Sequence, residues 1–80
     1  MDVKSISQIR MALTNDAQDV KDVSVVNLDD SSFSGFVKSS NGQEIILCAH
    51  FGKHDYHQID FDNLKSVVLT YQSGKIQEYR

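Results

Sequence analysis

The chain has 80 residues, of which 40% are hydrophobic, and its eleven acidic and eight basic side chains leave a net charge of −3. This length fits a single domain, and the apolar content suits a folded core rather than a disordered tail. The negative charge disfavours direct nucleic-acid binding, and no apolar run approaches the roughly 20 residues that a membrane-spanning helix needs.

The first predicted element is a helix over residues 1–15. Asp2 or Ser5 can cap its exposed N–H groups. Four apolar residues recur at helical spacing and form one stripe: Val3, Ile6, Ile9 and Leu13. Because about three helical turns are marginal in isolation, this stripe must pack on the rest of the domain.

Residues 16–22 read as an acidic connector between the helix and the β part of the chain. Together with the turn after the first strand, they place five aspartates against Lys21 alone: Asp16, Asp19, Asp22, Asp29 and Asp30. A run of like charge is often no more than a solvated loop. The alternative is an acidic surface for a basic partner, and the sequence leaves both readings open.

Residues 23–80 change to a hydrophobic period of two, which predicts five or six short antiparallel strands. The strands are expected at 23–28, 33–38, 44–51, 56–61, 66–71 and 76–79, with a helical turn at 62–65. Gly35 lies inside the second strand and predicts a sharp bend or a close backbone approach. The predicted fold is therefore mainly β (α+β), an N-terminal helix followed by a strongly bent small barrel.

Two turns set the predicted register of this barrel, one at residues 41–42 and one at residues 53–54. The expected cross-strand pairs are Val37–Ile46, Gly35–Cys48, Cys48–Ile59, Ile46–Phe61 and His50–His57. The interior face then carries Val26, Leu28, Phe33, Gly35, Val37, Ile46, Cys48, His50, His57, Ile59 and Phe61. The opposite face carries Val25, Phe36, Leu47, Ala49, Phe51 and Tyr56. Any part of that second face that the helix leaves uncovered is a candidate interface.

A metal site is not expected, and neither is a cofactor. The residues from which a metal site would be built are Cys48, His50 and His57, but their spacing matches no standard zinc motif. Two other interpretations stay open for the histidines. They are either structural residues of the core and its rim, or a pair whose protonation is coupled.

The stretch 26–37, Val-Asn-Leu-Asp-Asp-Ser-Ser-Phe-Ser-Gly-Phe-Val, resembles the opening of Sm-like domains. An apolar strand, an acidic turn and a bent strand with a glycine follow one another there. The order of elements over residues 3–71 is also similar to Sm-like and SH3-like small barrels. The Arg-Gly pair that ends the second Sm motif is missing from residues 64–68, so the RNA-binding residues of Sm proteins do not carry over. In acidity and layout the chain looks more like the Rof family of Rho inhibitors.

Catalysis is not expected. The serines lie mostly in turns, no glycine-rich loop opens a helix, and the predicted burial of Cys48 makes it inert. We expect a non-enzymatic regulatory or inhibitory module that occupies a basic site on a partner protein, such as a nucleic-acid-binding factor or a host defence factor. The expected contacts are Asp16, Asp19, Asp22, Asp29, Asp30, Phe36, Phe51 and Tyr56.

Two alternatives belong to other classes of function. One is a barrel that binds a small ligand or nucleotide through Lys53, His54 and Tyr56, and this alternative implies a homo-oligomer. The other is an Sm-like RNA binder. The single cysteine excludes an internal disulfide, and with no signal peptide in the sequence we expect a cytoplasmic protein.

Overall fold

The computed structural model describes residues 1–15, 17–49 and 55–80. It contains one α-helix in that part of the chain, α1 (Val3–Asn15), and 3-10 turns at Ala17–Asp19 and Phe61–Asn63. The strands of the described residues are β1 (Val20–Asn27), β2 (Ser32–Ser40), β3 (Glu44–Cys48), β4 (Tyr56–Asp60), β5 (Leu64–Tyr71) and β6 (Ile76–Tyr79). β1 begins earlier than predicted, so the connector between helix and sheet is shorter.

The described strands form a single antiparallel sheet in the order β4-β3-β2-β1-β5-β6. The predicted helix and six antiparallel strands are confirmed. The sheet is not closed, since no hydrogen-bonded ladder in the described residues joins β4 to β6.

β2 belongs to both halves of the sheet. Its first half pairs with β1 up to Gly35, and its second half pairs with β3 from Phe36 onward. A Cβ atom on Gly35 would lie 2.2 Å from the carbonyl oxygen of Cys48. The predicted close backbone approach at this glycine is therefore confirmed.

α1 begins at the predicted cap. The backbone N–H of Ser5 donates to Oδ1 of Asp2 at 2.7 Å. This hydrogen bond favours the carboxylate and lowers the pKa of Asp2. The helix buries Ile9 and Leu13, whereas Val3 is 83% exposed. Val3 leaves the predicted stripe because residues three apart drift by about 60° around a helix axis.

The core lies between α1 and the inner face of the sheet. From the helix it takes Ile9, Ala12 and Leu13. From the strands and the second 3-10 turn it takes Val23, Val25, Ile45, Leu47, Ile59, Phe61, Leu64, Val67 and Leu69. Phe33 and Val37 are partly buried against this cluster. The inward positions predicted for Phe33, Val37, Ile59 and Phe61 therefore agree with the structure.

The predicted inner face of β1 is wrong. Val23 and Val25 are buried, so alternation places Val26 on the other face, and Leu28 is 58% exposed in the turn after the strand. β1 has apolar residues on both faces, so its sequence pattern alone does not show which face points to the core. The pairing with β2 shows it, because Val25 lies opposite the inward Phe33.

The register of β2 and β3 also differs from the prediction. Backbone N–H groups of Gln43 and Glu44 donate to Oδ1 of Asn41 at 2.8 and 3.0 Å, so the turn spans residues 41–44. Positive φ among the described residues occurs only at Asp30 and Gly74, which excludes the predicted two-residue turn type.

This longer turn changes which residues of β3 face the core. The predicted pairs Val37–Ile46 and Gly35–Cys48 are replaced by Val37–Leu47 and Phe36–Cys48. Leu47 rather than Ile46 therefore points inward. Cys48 is buried as predicted, but it lies on the outer face of the sheet with Phe36.

The register of β3 and β4 differs as well. β3 ends at Cys48, β4 begins at Tyr56, and the N–H of Ala49 donates to the carbonyl of Asp55 at 3.1 Å. The predicted pairs Cys48–Ile59 and Ile46–Phe61 are therefore wrong, and His50, the predicted partner of His57, lies outside the described residues. The structure instead has the pairs Leu47–His57, Cys48–Tyr56 and Ile45–Ile59.

An aromatic stack joins two strands that are not neighbours in the sheet. The rings of Phe33 in β2 and His57 in β4 have centroids 4.2 Å apart and an interplanar angle of 28°. β4 pairs with β3, not with β2. The inner face must therefore be strongly curved to bring these rings together.

Candidate functional site

A row of side chains crosses the face of the sheet that points away from α1. Phe36 pairs with Cys48, and Cys48 pairs with Tyr56. Cross-strand partners share a face, so the three side chains project to the same side. Phe36 is 39% exposed and Tyr56 is 49% exposed, whereas Cys48 between them is buried. We call Phe36, Cys48 and Tyr56 the outer patch.

Asp22 continues this row onto β1. The β1–β2 ladder ends at the pair Val23–Gly35, and Asp22 and Phe36 are the next residues along the two strands. The hydroxyl of Ser24 donates to Oδ2 of Asp22 at 3.4 Å, which places both side chains on the outer face. One predicted acid therefore shares the outer face with the predicted aromatic residues.

The other predicted acids lie away from the outer patch. Asp19 precedes β1, while Asp29 and Asp30 follow it. An eight-residue strand separates its ends by roughly 25 Å. The four described aspartates therefore do not form one acidic edge, and Asp16 lies outside the described residues.

Local partners hold the two aspartates of the β1–β2 turn. The hydroxyl and the N–H of Ser31 donate to Oδ1 of Asp29 at 2.5 and 2.9 Å, and they lower the pKa of Asp29. Nζ of Lys65 lies 2.9 Å from Oδ1 of Asp30 in an exposed ion pair. Both carboxylates therefore have partners within the protein.

Sequence reasoning missed two carboxylates on the outer face. Glu44 pairs with Asp60, and the carboxamide of Gln58 donates to Glu44. Alternation along β4 offered a signal, since Tyr56 and Asp60 are four residues apart and share a face.

Where β1–β4 alternate regularly, the charged side chains on the outer face are acidic. In the described parts of these strands, these positions hold Asp22, Glu44 and Asp60 but no lysine or arginine. Lys21 and Lys38 lie at register shifts. Acidic side chains therefore occupy these regular outward positions, and the exposed Lys38 lies two residues from Phe36.

The two described candidates for metal ligands, Cys48 and His57, lie on opposite faces of the sheet. Cys48 pairs with Tyr56 on the outer face, and His57 lies on the inner face opposite Leu47. Among the described residues, no group of three His, Cys, Asp or Glu side chains is placed to hold a metal ion. Besides Asp16, four residues of the predicted sites lie outside the described residues: His50, Phe51, Lys53 and His54.

The chain was compared with protein families, curated proteins and solved structures. No family model, curated protein or solved structure matches the chain. No helix in the described part of the chain is long and apolar enough to cross a membrane.

Proposed function

We propose that the protein is a non-enzymatic regulatory or inhibitory module that binds a basic site on a partner protein through its outer patch. The observation that carries this proposal is the exposure of Phe36 and Tyr56 on either side of Cys48. Aromatic residues are enriched among the residues that dominate binding energy in protein interfaces. Clustered apolar exposure also marks interaction surfaces more often than single exposed residues do.

Acidic residues on the outer face support a basic partner. Asp22 and Phe36 follow the last pair of the β1–β2 ladder, and Asp60 shares the outer face of β4 with Tyr56. Complementary charge speeds encounter and fixes orientation more than it adds affinity. A partner arginine suits this surface, because its guanidinium stacks on aromatic rings and pairs with carboxylates.

We also propose that the chain forms a small barrel and is located in the cytoplasm. The division of β2 at Gly35 and the Phe33–His57 stack support a small barrel of the Sm-like or SH3-like kind. Cys48 as the single cysteine suits a reducing compartment such as the cytoplasm.

The test is affinity capture from an extract of the host, with a matched pair of double variants. Phe36→Thr/Tyr56→Thr removes the exposed aromatic rings and keeps residues that favour strands. Leu28→Thr/Ile76→Thr removes exposed apolar side chains elsewhere. We expect a basic protein that the natural chain and the control retain and the patch variant loses by about tenfold or more, as for one interface hot spot.

Thermal melting of all three chains checks that each is folded. Capture should also weaken as salt rises, since exposed charges are screened beyond about 10 Å at moderate ionic strength. Equal retention of every captured protein by the patch variant and the control would contradict the proposal.

A further inference from the structure

A groove runs between α1 and the end of the sheet formed by β5 and β6, away from the outer patch. It is shallow and open to solvent, and its volume is about 400 Å³. Its lining residues are Gln8, Met11, Ala12, Asn15, Tyr71, Gln77 and Tyr79. None of these described residues is charged, although 24% of the chain is.

Three carboxamides line this groove, those of Gln8, Asn15 and Gln77. Within the described part of the chain, none of them makes a side-chain hydrogen bond to the protein. Each carboxamide offers an acceptor oxygen and two donor hydrogens in one plane. Such groups recognise ring edges that carry a hydrogen-bond donor beside an acceptor, as Asn and Gln recognise adenine.

Aromatic and thioether surface accompanies the carboxamides. Tyr71 and Tyr79 are half-buried and pack against the core, which fixes their positions. Met11 is 60% exposed on α1, and its flexible side chain adapts to irregular ligands. Tyrosine rings provide stacking surfaces for heteroaromatic bases.

The described lining of the groove is uncharged and offers no cation to a phosphate. Nζ of Lys75, which does not line the groove, lies 5.7 Å from the centroid of the Tyr71 ring. The net charge of −3 also disfavours polyanions. An uncharged ligand suits this groove better than a nucleotide or a nucleic acid.

The geometry points to a site between α1 and β5–β6 that binds a neutral nucleobase or nucleoside. The edge of such a heteroaromatic ring carries hydrogen-bond donors beside acceptors. The carboxamides of Gln8, Asn15 and Gln77 hydrogen-bond the edges of the ring, and a tyrosine stacks on its face. This site is separate from the outer patch and does not depend on the function proposed there.

The experiment is an NMR titration of the full ¹⁵N-labelled chain with adenosine, cytidine and uridine at millimolar concentrations, each beside its 5′-monophosphate. We expect a saturable shift of the side-chain NH₂ signals of Gln77 with at least one nucleoside. Gln8→Leu/Asn15→Ala should weaken that binding by about tenfold. Gln18→Leu removes a carboxamide outside the groove and should leave the binding unchanged.

Three results would overturn this assignment. They are the absence of any saturable shift, tighter binding of a monophosphate than of its nucleoside, and equal binding by the groove variant and the natural chain. The backbone spectrum reports whether each variant is folded. The groove variant should still capture the protein partner, so failure here and failure of the outer-patch proposal are distinguishable.

Discussion

Two glycines of the β2–β3 hairpin, Gly35 and Gly42, have different surroundings. A Cβ atom on Gly35 would lie 2.2 Å from the backbone oxygen of Cys48, whereas one on Gly42 would meet nothing within 4 Å. The contact at Gly35 involves backbone on both strands and cannot relax by side-chain movement. Of these two glycines, only Gly35 is required by packing.

We predict that Gly35→Ala lowers the free energy of unfolding by about 1–3 kcal/mol, as overpacking does. Gly42→Ala should leave it unchanged or raise it by about 0.4–1 kcal/mol, because alanine restricts the unfolded chain. Denaturant unfolding of both variants measures the difference. Equal stability of the two would show that the strands do not approach closely at Gly35.

At the scale of elements, the carboxylate of Asp2 caps the first turn of α1. The hydrogen bond from Ser5 lowers the pKa of Asp2 below 3.8 in the folded chain. The folded state therefore binds fewer protons than the unfolded state near this pH. The contribution of the cap is present above pH 3.8 and is lost as the pH falls through the folded pKa.

We predict that Asp2→Asn reduces the loss of stability on acidification, because asparagine caps a helix without titrating. Melting temperatures of both chains between neutral and strongly acidic pH test this. Some acid sensitivity should remain in the variant, since Ser31 also lowers the pKa of Asp29. An unchanged pH profile would show that the ionisation of Asp2 contributes nothing to stability.

The existence of these elements was predictable, but their registers were not. The alternation of apolar residues located every strand of the described chain to within a few positions. Residues 41–42 suggested a two-residue turn, whereas the side chain of Asn41 organises a longer one. A shift of register by one residue moves side chains to the other face, which is why Leu47 replaced Ile46 in the core.

At the scale of the whole molecule, α1 completes the core. Ile9 is fully buried and Val3 is 83% exposed on the same helix. We predict that Ile9→Ala lowers the free energy of unfolding by about 2–5 kcal/mol, and that Val3→Ala changes it little. Denaturant midpoints of the two variants check this. Equal midpoints would mean that α1 does not pack on the sheet.

The candidate site was predictable only in part. Phe36 and Tyr56 alternate onto the outer face as expected, and Asp22 joins them. The remaining described aspartates lie far apart, because β1 runs between Asp19 and the pair Asp29 and Asp30. A count of acidic residues in the sequence does not show this distance. The proximity of Glu44 and Asp60 can be seen only from the register of β3 and β4. The turn predicted at residues 53–54 gave a different register and therefore did not pair them.

The position of β1 at the centre of the sheet has a consequence for synthesis of the chain. β1 pairs with β2 on one side and with β5, residues 64–71, on the other. Until residue 71 has left the ribosome, one edge of β1 has no complete partner strand from its own chain. Exposed edges invite pairing with other chains, so the nascent protein is most prone to aggregation just before β5 emerges.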